Sequence, residues 1–138
     1  VIVVDASVAV KWVFDEEYGD EAVALRDAPD VPIAPTLMLI EAGNALWRRV
    51  GREELTADEA GELLAVLHGL PVGYVEEQAL VAPALALAAA MQHPIYDCIY
   101  LALALRENIQ LATADVRFAR KLIANGHGDR LHLIGELT

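Results

Sequence analysis

The chain has 138 residues, enough for one domain with a core that needs neither disulfides nor a structural metal. At 56% hydrophobic it is not intrinsically disordered. Asp and Glu outnumber Lys and Arg by 21 to 10, and the net charge of −11 excludes a general nucleic-acid coat protein but not an enzyme that gathers acids at one site.

The run Val1-Ile2-Val3-Val4 predicts a strand that ends at Asp5. Its hydrophobicity is continuous rather than alternating, as in a strand buried on both faces of a parallel sheet. Ser7 is placed to cap a short helix carrying Val8, Val10, Trp12 and Val13. Gly19 to Ala28 predicts a second helix, and Val31 to Ala34 a second strand. Pro35-Thr36 opens a helix to about Val50, closed by Gly51. Thr56 with Glu59 three residues later is a capping box, and the helix it starts runs to about His68, where Gly69 stops it.

Pro71 to Val75 predicts a third strand. Glu76 to Gln92 predicts an Ala/Leu-rich helix with Pro83 in its first turns or kinking it. Another helix starts near Tyr96-Asp97 and carries Ile99, Leu101, Leu103 and Leu105. Gln110 to Ala112 predicts a strand, Asp115 opens a last helix to about Asn125, and Leu131 to Ile134 predicts a final strand. Short strands alternating with helices predict an α/β sandwich around a mostly parallel sheet, with residues 1–138 forming a single domain.

The single cysteine, Cys98, leaves no internal disulfide, and no CxxC pair, Cys/His zinc set or haem attachment pattern is present. The opening VIVVDAS does not resemble a signal peptide, and the longest charge-free apolar run, Ala79 to Met91, is too short to span a bilayer. A soluble, cytoplasmic protein with no membrane association is expected.

Four acids occupy positions where chemistry is expected. In an open α/β sheet, ligands bind at the carboxyl ends of the strands. Asp5 directly follows the first strand, Asp115 follows the strand at 110–112 across Thr113-Ala114, and Asp97 starts a helix. Glu41 stands inside the apolar segment Leu37-Met38-Leu39-Ile40-Glu41-Ala42. Each also has a structural use: Asp5 as a turn or cap residue, Asp97 and Asp115 in first turns favoured by the helix dipole, and Glu41 in a salt bridge to Arg48 or Arg49. If the strands are neighbours, the four converge at one sheet edge. Clustered carboxylates repel unless cations neutralise them, and oxygen-only ligands favour Mg²⁺ or Mn²⁺. Such a site suits metal-assisted hydrolysis of a phosphodiester.

These positions carry a resemblance. Val3-Val4-Asp5-Ala6-Ser7 with Lys11-Trp12, Pro35 followed by Glu41, Asn44 and Leu46, Tyr96-Asp97-x-x-Tyr100-Leu101-Ala102-Leu103-Ala104, and Leu111-Ala112-Thr113-Ala114-Asp115 stand in order across residues 3 to 115. In these segments the chain resembles the PIN-domain family, and within it the VapC-type toxins of bacterial and archaeal toxin–antitoxin pairs. Cys98 stands where many relatives have Ala. The resemblance implies a PIN-like α/β/α sandwich with four to five short strands and a Mg²⁺- or Mn²⁺-dependent endoribonuclease. It implies Asp5 and Asp97 as principal metal ligands, completed by Glu41 and Asp115. Ser7, Asn44 and Thr113 would support the carboxylates or their waters. The implied partners are a cognate VapB-like antitoxin, a structured RNA of the tRNA or rRNA class, and a second copy in a homodimer.

Basic residues are few. Arg48, Arg49 and Arg52 cluster at the end of the Glu41 helix, Arg117, Arg120 and Lys121 just after Asp115, and Lys11 one turn beyond Ser7. Lys11, Arg117 and Arg120 are the candidates for RNA phosphate contact; the Arg48 group is also explained by the helix dipole. His93 immediately precedes Pro94 and the Asp97 helix, where a metal or acid–base role is conceivable, but an oxygen-ligand site does not need it and a structural or surface role is expected. His68, His127 and His132 are expected to be surface or loop residues, and Trp12, Phe14, Trp47 and Tyr100 to pack in the core or at a subunit interface. A response-regulator receiver domain would need paired acids near the first strand and a Lys directly after a late strand, whereas Asp5 has no acidic neighbour and the strand before Thr113-Ala114-Asp115 is followed by an acid. A non-catalytic PIN scaffold that binds protein or RNA is the other alternative, and the presence of all four acids argues against it.

Overall fold

A computed structural model describes residues 1–138. In chain order it contains β1 (Val3–Val4), α1 (Ala6–Ala9), α2 (Gly19–Arg26), β2 (Ile33–Pro35), α3 (Leu37–Gly51), α4 (Ala57–Gly69) and β3 (Gly73–Val75). Then come α5 (Val81–Met91), α6 (Ile95–Glu107), β4 (Leu111–Thr113), α7 (Val116–Ala124) and β5 (Leu131–Leu133). Short 3₁₀ turns follow α1 and precede α5 and β5.

The five strands form one parallel sheet in the order β3-β2-β1-β4-β5, flanked by the seven helices. The sheet is wound outward in both directions from β1. The order therefore reverses between β1 and β4, and that switch point opens a crevice beyond their carboxyl ends. Val3 pairs with Leu111 and Val4 with Ala112, so the residues that leave β1 and β4 emerge side by side. Val3, Val4, Leu111 and Ala112 are all fully buried, as their unbroken hydrophobicity requires.

Helix α6 is the central core element: every residue from Cys98 to Ala104 is buried. Helix α5 packs against it. Helix α7 is strongly one-sided, burying Phe118, Ala119 and Leu122. No single helix is long and apolar enough to cross a membrane.

The structure moves several expected boundaries. Ser7 does not cap α1. Asp5 does, because it has an extended backbone and its Oδ1 accepts from the Val8 N–H at 3.2 Å, while Ser7 lies inside the first turn. Likewise Asp115 precedes α7 as its cap, with Oδ1 accepting from the Phe118 N–H at 3.1 Å.

The helix expected from Glu76 begins only at Val81. Glu77 is engaged elsewhere: its carboxylate accepts from the Thr36 hydroxyl at 2.7 Å and from the Leu37 N–H at 3.2 Å, closing the amino end of α3. Pro83 becomes the third residue of α5, where its missing N–H breaks no helical bond. The capping box of Thr56 and Glu59 is present as expected. Trp12 and Tyr100 are buried, but Trp47 is 67% exposed and lies outside the core.

Candidate active site

The switch-point crevice is a cavity of about 660 Å³, and all four acids line it. Asp5 and Asp115 enter from the ends of β1 and β4, Glu41 from the second turn of α3, and Asp97 from the first turn of α6.

Asp5 is only 4% exposed, and burial raises its pKa to about 7. The Ser7 and Thr113 hydroxyls and the Val8 N–H pull against that rise, and the charge of Asp97 adds to it. Ser7 does more than support Asp5. Its hydroxyl donates to Asp5 Oδ1 at 2.5 Å and accepts from the Ala114 N–H at 2.8 Å, tying the end of β1 to the end of β4. Thr113 Oγ1 lies 3.3 Å from Ser7 Oγ and accepts from the Asp115 N–H at 3.1 Å.

Glu41 is not paired with Arg48 or Arg49. Its Oε1 accepts from the buried Tyr100 hydroxyl at 2.6 Å. Burial raises the pKa of Glu41, the Tyr100 hydrogen bond opposes, and Asp97 adds to the rise. The Tyr100 phenol is itself pushed far up, by burial first and by Glu41 next, so it stays a donor. Arg49 instead pairs with Glu16 and Glu54, and its guanidinium lies 3.7 Å over the Phe14 ring.

Asp97 Oδ2 is hydrogen-bonded to His93 Nε2 at 2.6 Å. Burial raises the Asp97 pKa; the His93 bond and charge lower it, and Asp115 raises it. The His93 ring stacks on Phe118 with centroids 5.1 Å apart, which fixes its plane. This site residue was not expected from the sequence. It precedes α6, and the left-handed Gln92 that ends α5 turns the chain so that His93 faces Asp97. The spacing of four from Asp97 was the only available signal, and such spacing has meaning only within one helix.

In each of the four carboxylates, one oxygen is held by a donor of the protein and the other makes no hydrogen bond. A hard divalent cation needs such oxygens, so the donor set fits Mg²⁺ or Mn²⁺ by type. The acids surround the cavity without closing on one point: no three acidic, histidine or cysteine side chains stand as close together as a bound ion requires. Asn44, three residues after Glu41 on the same helix face, also lines the cavity.

Of the three basic candidates, the cavity includes Lys11 but neither Arg117 nor Arg120. Arg120 turns away to the backbone carbonyl of Leu137, and both arginines follow the exposed face of α7, opposite Phe118 and Leu122. Arg48, Arg49 and Arg52 line the cavity instead.

Residues 2–122 match the PIN domain family. No curated protein sequence matches the chain. Among solved structures, the chain is similar to a toxin–antitoxin complex chain from Klebsiella pneumoniae, at 12% identity, 99% coverage of each chain and a TM-score of 0.69. It is also similar to the protein PAE2754 from Pyrobaculum aerophilum, at 23% identity, coverage of 94% and 81%, and a TM-score of 0.70. A third similar structure is the sarcin-ricin-loop-cleaving toxin VapC20 of Mycobacterium tuberculosis, at 20% identity, coverage of 87% and 94%, and a TM-score of 0.69.

Proposed function

The chain belongs to the PIN domain family, and from that premise we propose that it is a Mg²⁺- or Mn²⁺-dependent endoribonuclease of the toxin class, held in check by a cognate VapB-like antitoxin. The observation that carries this reading is the convergence of four carboxylates on one cavity, each with one oxygen braced and one unbonded. A bound cation would supply an acidified water and neutralise charge on the phosphate. Asp5 and Asp97 are the principal ligands, with Glu41 and Asp115 completing the set.

The chain's own residues prepare the acids. Ser7 and the Val8 N–H hold Asp5, Tyr100 holds Glu41, His93 holds Asp97, and the Phe118 N–H holds Asp115. Thr113 holds the backbone at Asp115. The reaction is in-line attack of water on an RNA phosphodiester, with the leaving ribose oxygen taking up a proton. One similar structure is described as a toxin–antitoxin complex and another as a sarcin-ricin-loop-cleaving toxin, which supports a structured RNA target and an antitoxin partner. The net charge of −11 would steer a basic antitoxin segment toward the cavity. Ile40 and Trp47, seven residues apart on α3 and 70% and 67% exposed, offer an apolar surface to a second copy in a homodimer. A cytoplasmic location accompanies this role.

The test is RNA cleavage by the purified chain with Mg²⁺ or Mn²⁺, alongside Asp5→Asn. Metal-dependent cleavage lost in the variant is expected. Equal cleavage by both proteins would overturn the site, and no cleavage by either would leave a non-catalytic PIN scaffold.

A further inference from the structure

We propose that Arg48 and Arg52 form a phosphate subsite beside the acids, holding the RNA backbone that flanks the scissile bond; this rests on the endoribonuclease reading and names the side of the cavity along which the strand runs. Four of the ten basic residues of this acidic chain line the one cavity. The helix dipole accounts for arginines at the end of α3 but not for this gathering.

The four cations are not equivalent. Lys11 is consumed by Glu16 Oε1 at 3.3 Å and the Glu17 carbonyl at 2.7 Å. Arg49 is consumed by Glu16 and Glu54 and by its seat over Phe14. Glu16 thus neutralises the inner pair from within the cavity. Arg48 makes no ion pair or hydrogen bond, and Arg52, with its side chain 61% exposed, has only a 3.8 Å approach to Glu54. The positive charge left for a ligand is therefore on Arg48 and Arg52.

Their placement suits a strand that continues from the acids. Glu41, Asn44, Ala45, Arg48 and Arg52 all line the cavity, and their spacing of three, four, seven and eleven residues marks one face of α3. Arg48 stands about 10 Å along the helix from Glu41, and Arg52 about one turn further. The scissile phosphate would lie at the acids and the neighbouring phosphates along the arginines. An arginine fork suits phosphate oxygens, and such contacts carry affinity and register without reading sequence.

The experiment measures binding of a short fluorescein-labelled single-stranded RNA in EDTA across a salt series, so it does not depend on cleavage. Arg48→Gln/Arg52→Gln is compared with Arg26→Gln/Arg106→Gln, which removes the same charge from surface positions outside the cavity. The cavity pair should weaken binding about tenfold at low salt and lower the salt slope by about 1.4, roughly 0.7 for each phosphate contact on a single strand. The surface pair should leave the slope within about 0.3 of the parent. Equal slopes for the two double variants, or no RNA binding by the parent chain at low salt, would overturn the subsite. Metal-dependent cleavage with equal slopes leaves the nuclease reading standing and removes the subsite. A lowered slope without any cleavage leaves the subsite as an RNA-binding surface and removes the nuclease.

Discussion

The two acids at strand ends and the two on helices are held in different ways. Asp5 and Asp115 each cap the helix that follows, so their braced oxygen is bound by a backbone N–H three residues on. Glu41 and Asp97 are braced by side chains, Tyr100 reaching from α6 to α3 and His93 from before α6. The strand-end acids therefore each keep a backbone brace that no neighbouring side-chain substitution removes, although at Asp5 the Ser7 hydroxyl adds a second brace to the same oxygen. The helix acids can each be released by changing one neighbour while the carboxylate stays. Orientation and presence are separable on one side of the cavity and inseparable on the other.

The largest effect is expected from Asp5→Asn. Activity in the RNA assay should fall by two or more orders of magnitude, about 3 kcal/mol or more at the transition state. The amide keeps an oxygen for the Val8 N–H, so the cap survives, whereas Asp5→Ala should lose activity and about 1 kcal/mol of stability besides. Asp5 also predicts a pH dependence. Its pKa is about 7 folded against 3.8 for an ordinary Asp, so the folded chain binds the proton more tightly. The resulting stability is fully present below pH 3.8 and is lost as the pH rises through about 7, on the order of 4 kcal/mol for this buried group. Melting of the metal-free protein from pH 5 to pH 8 should show the larger part of that loss, about 3 kcal/mol, and Asp5→Asn should flatten it.

Asp97→Asn should nearly abolish activity while the fold survives or gains stability, because it relieves carboxylate repulsion. Calorimetry with Mn²⁺ showing undiminished affinity would refute the ligand role.

Next in size are the braces of the helix acids. Tyr100→Phe should reduce activity about tenfold and weaken Mn²⁺ binding in calorimetry, as the loss of a hydrogen bond behind a metal ligand does elsewhere. His93→Gln should cost only a few-fold, since the amide can still donate to Asp97, and His93→Phe should cost more. If both braces can be removed without loss of metal affinity, the helix acids are aimed by packing alone, and the distinction between the two pairs disappears. The smallest effect is Thr113→Val, expected to cost about 1 kcal/mol on denaturation, because it removes the acceptor for the Asp115 N–H.

The same distinction decides what was legible in the sequence. Asp5 and Asp115 could be placed at strand ends because an apolar run stopping at an acid is a local signal, and their capping role was already one of the readings offered. Glu41 stood out as an acid in an apolar helix, but its partner did not. The expected arginines lie along the same helix, whereas Tyr100 comes 59 residues later on α6, where its ring reads as core. His93 was missed for the same reason: a chain turn set by Gln92, not periodicity, points it at Asp97.

The basic residues show a different limit. Arg117 and Arg120 were near Asp115 in sequence, but the helix begins at Val116 and its buried face of Phe118 and Leu122 directs them elsewhere. Arg48 and Arg52 share a helix face with Glu41, which the spacing shows but the helix dipole explained away. The alternation of elements and the parallel sheet were legible throughout. The late start of α5 was not, because it depends on Glu77 serving another helix.

That service has a consequence for how the chain folds. The amino end of α3 is closed by a carboxylate 40 residues further along the chain, delivered only when β3 has paired beside β2. During synthesis, Leu37 is made well before Glu77, so the helix that carries Glu41 waits with its first turn open until the next helix and strand have been made. Early contacts in this half of the molecule must therefore come from α3 and α4, with the amino end of α3 consolidating late. Asp97 and Asp115 lie later still in the chain, so the four carboxylates can come together only once α6 and β4 have been made as well.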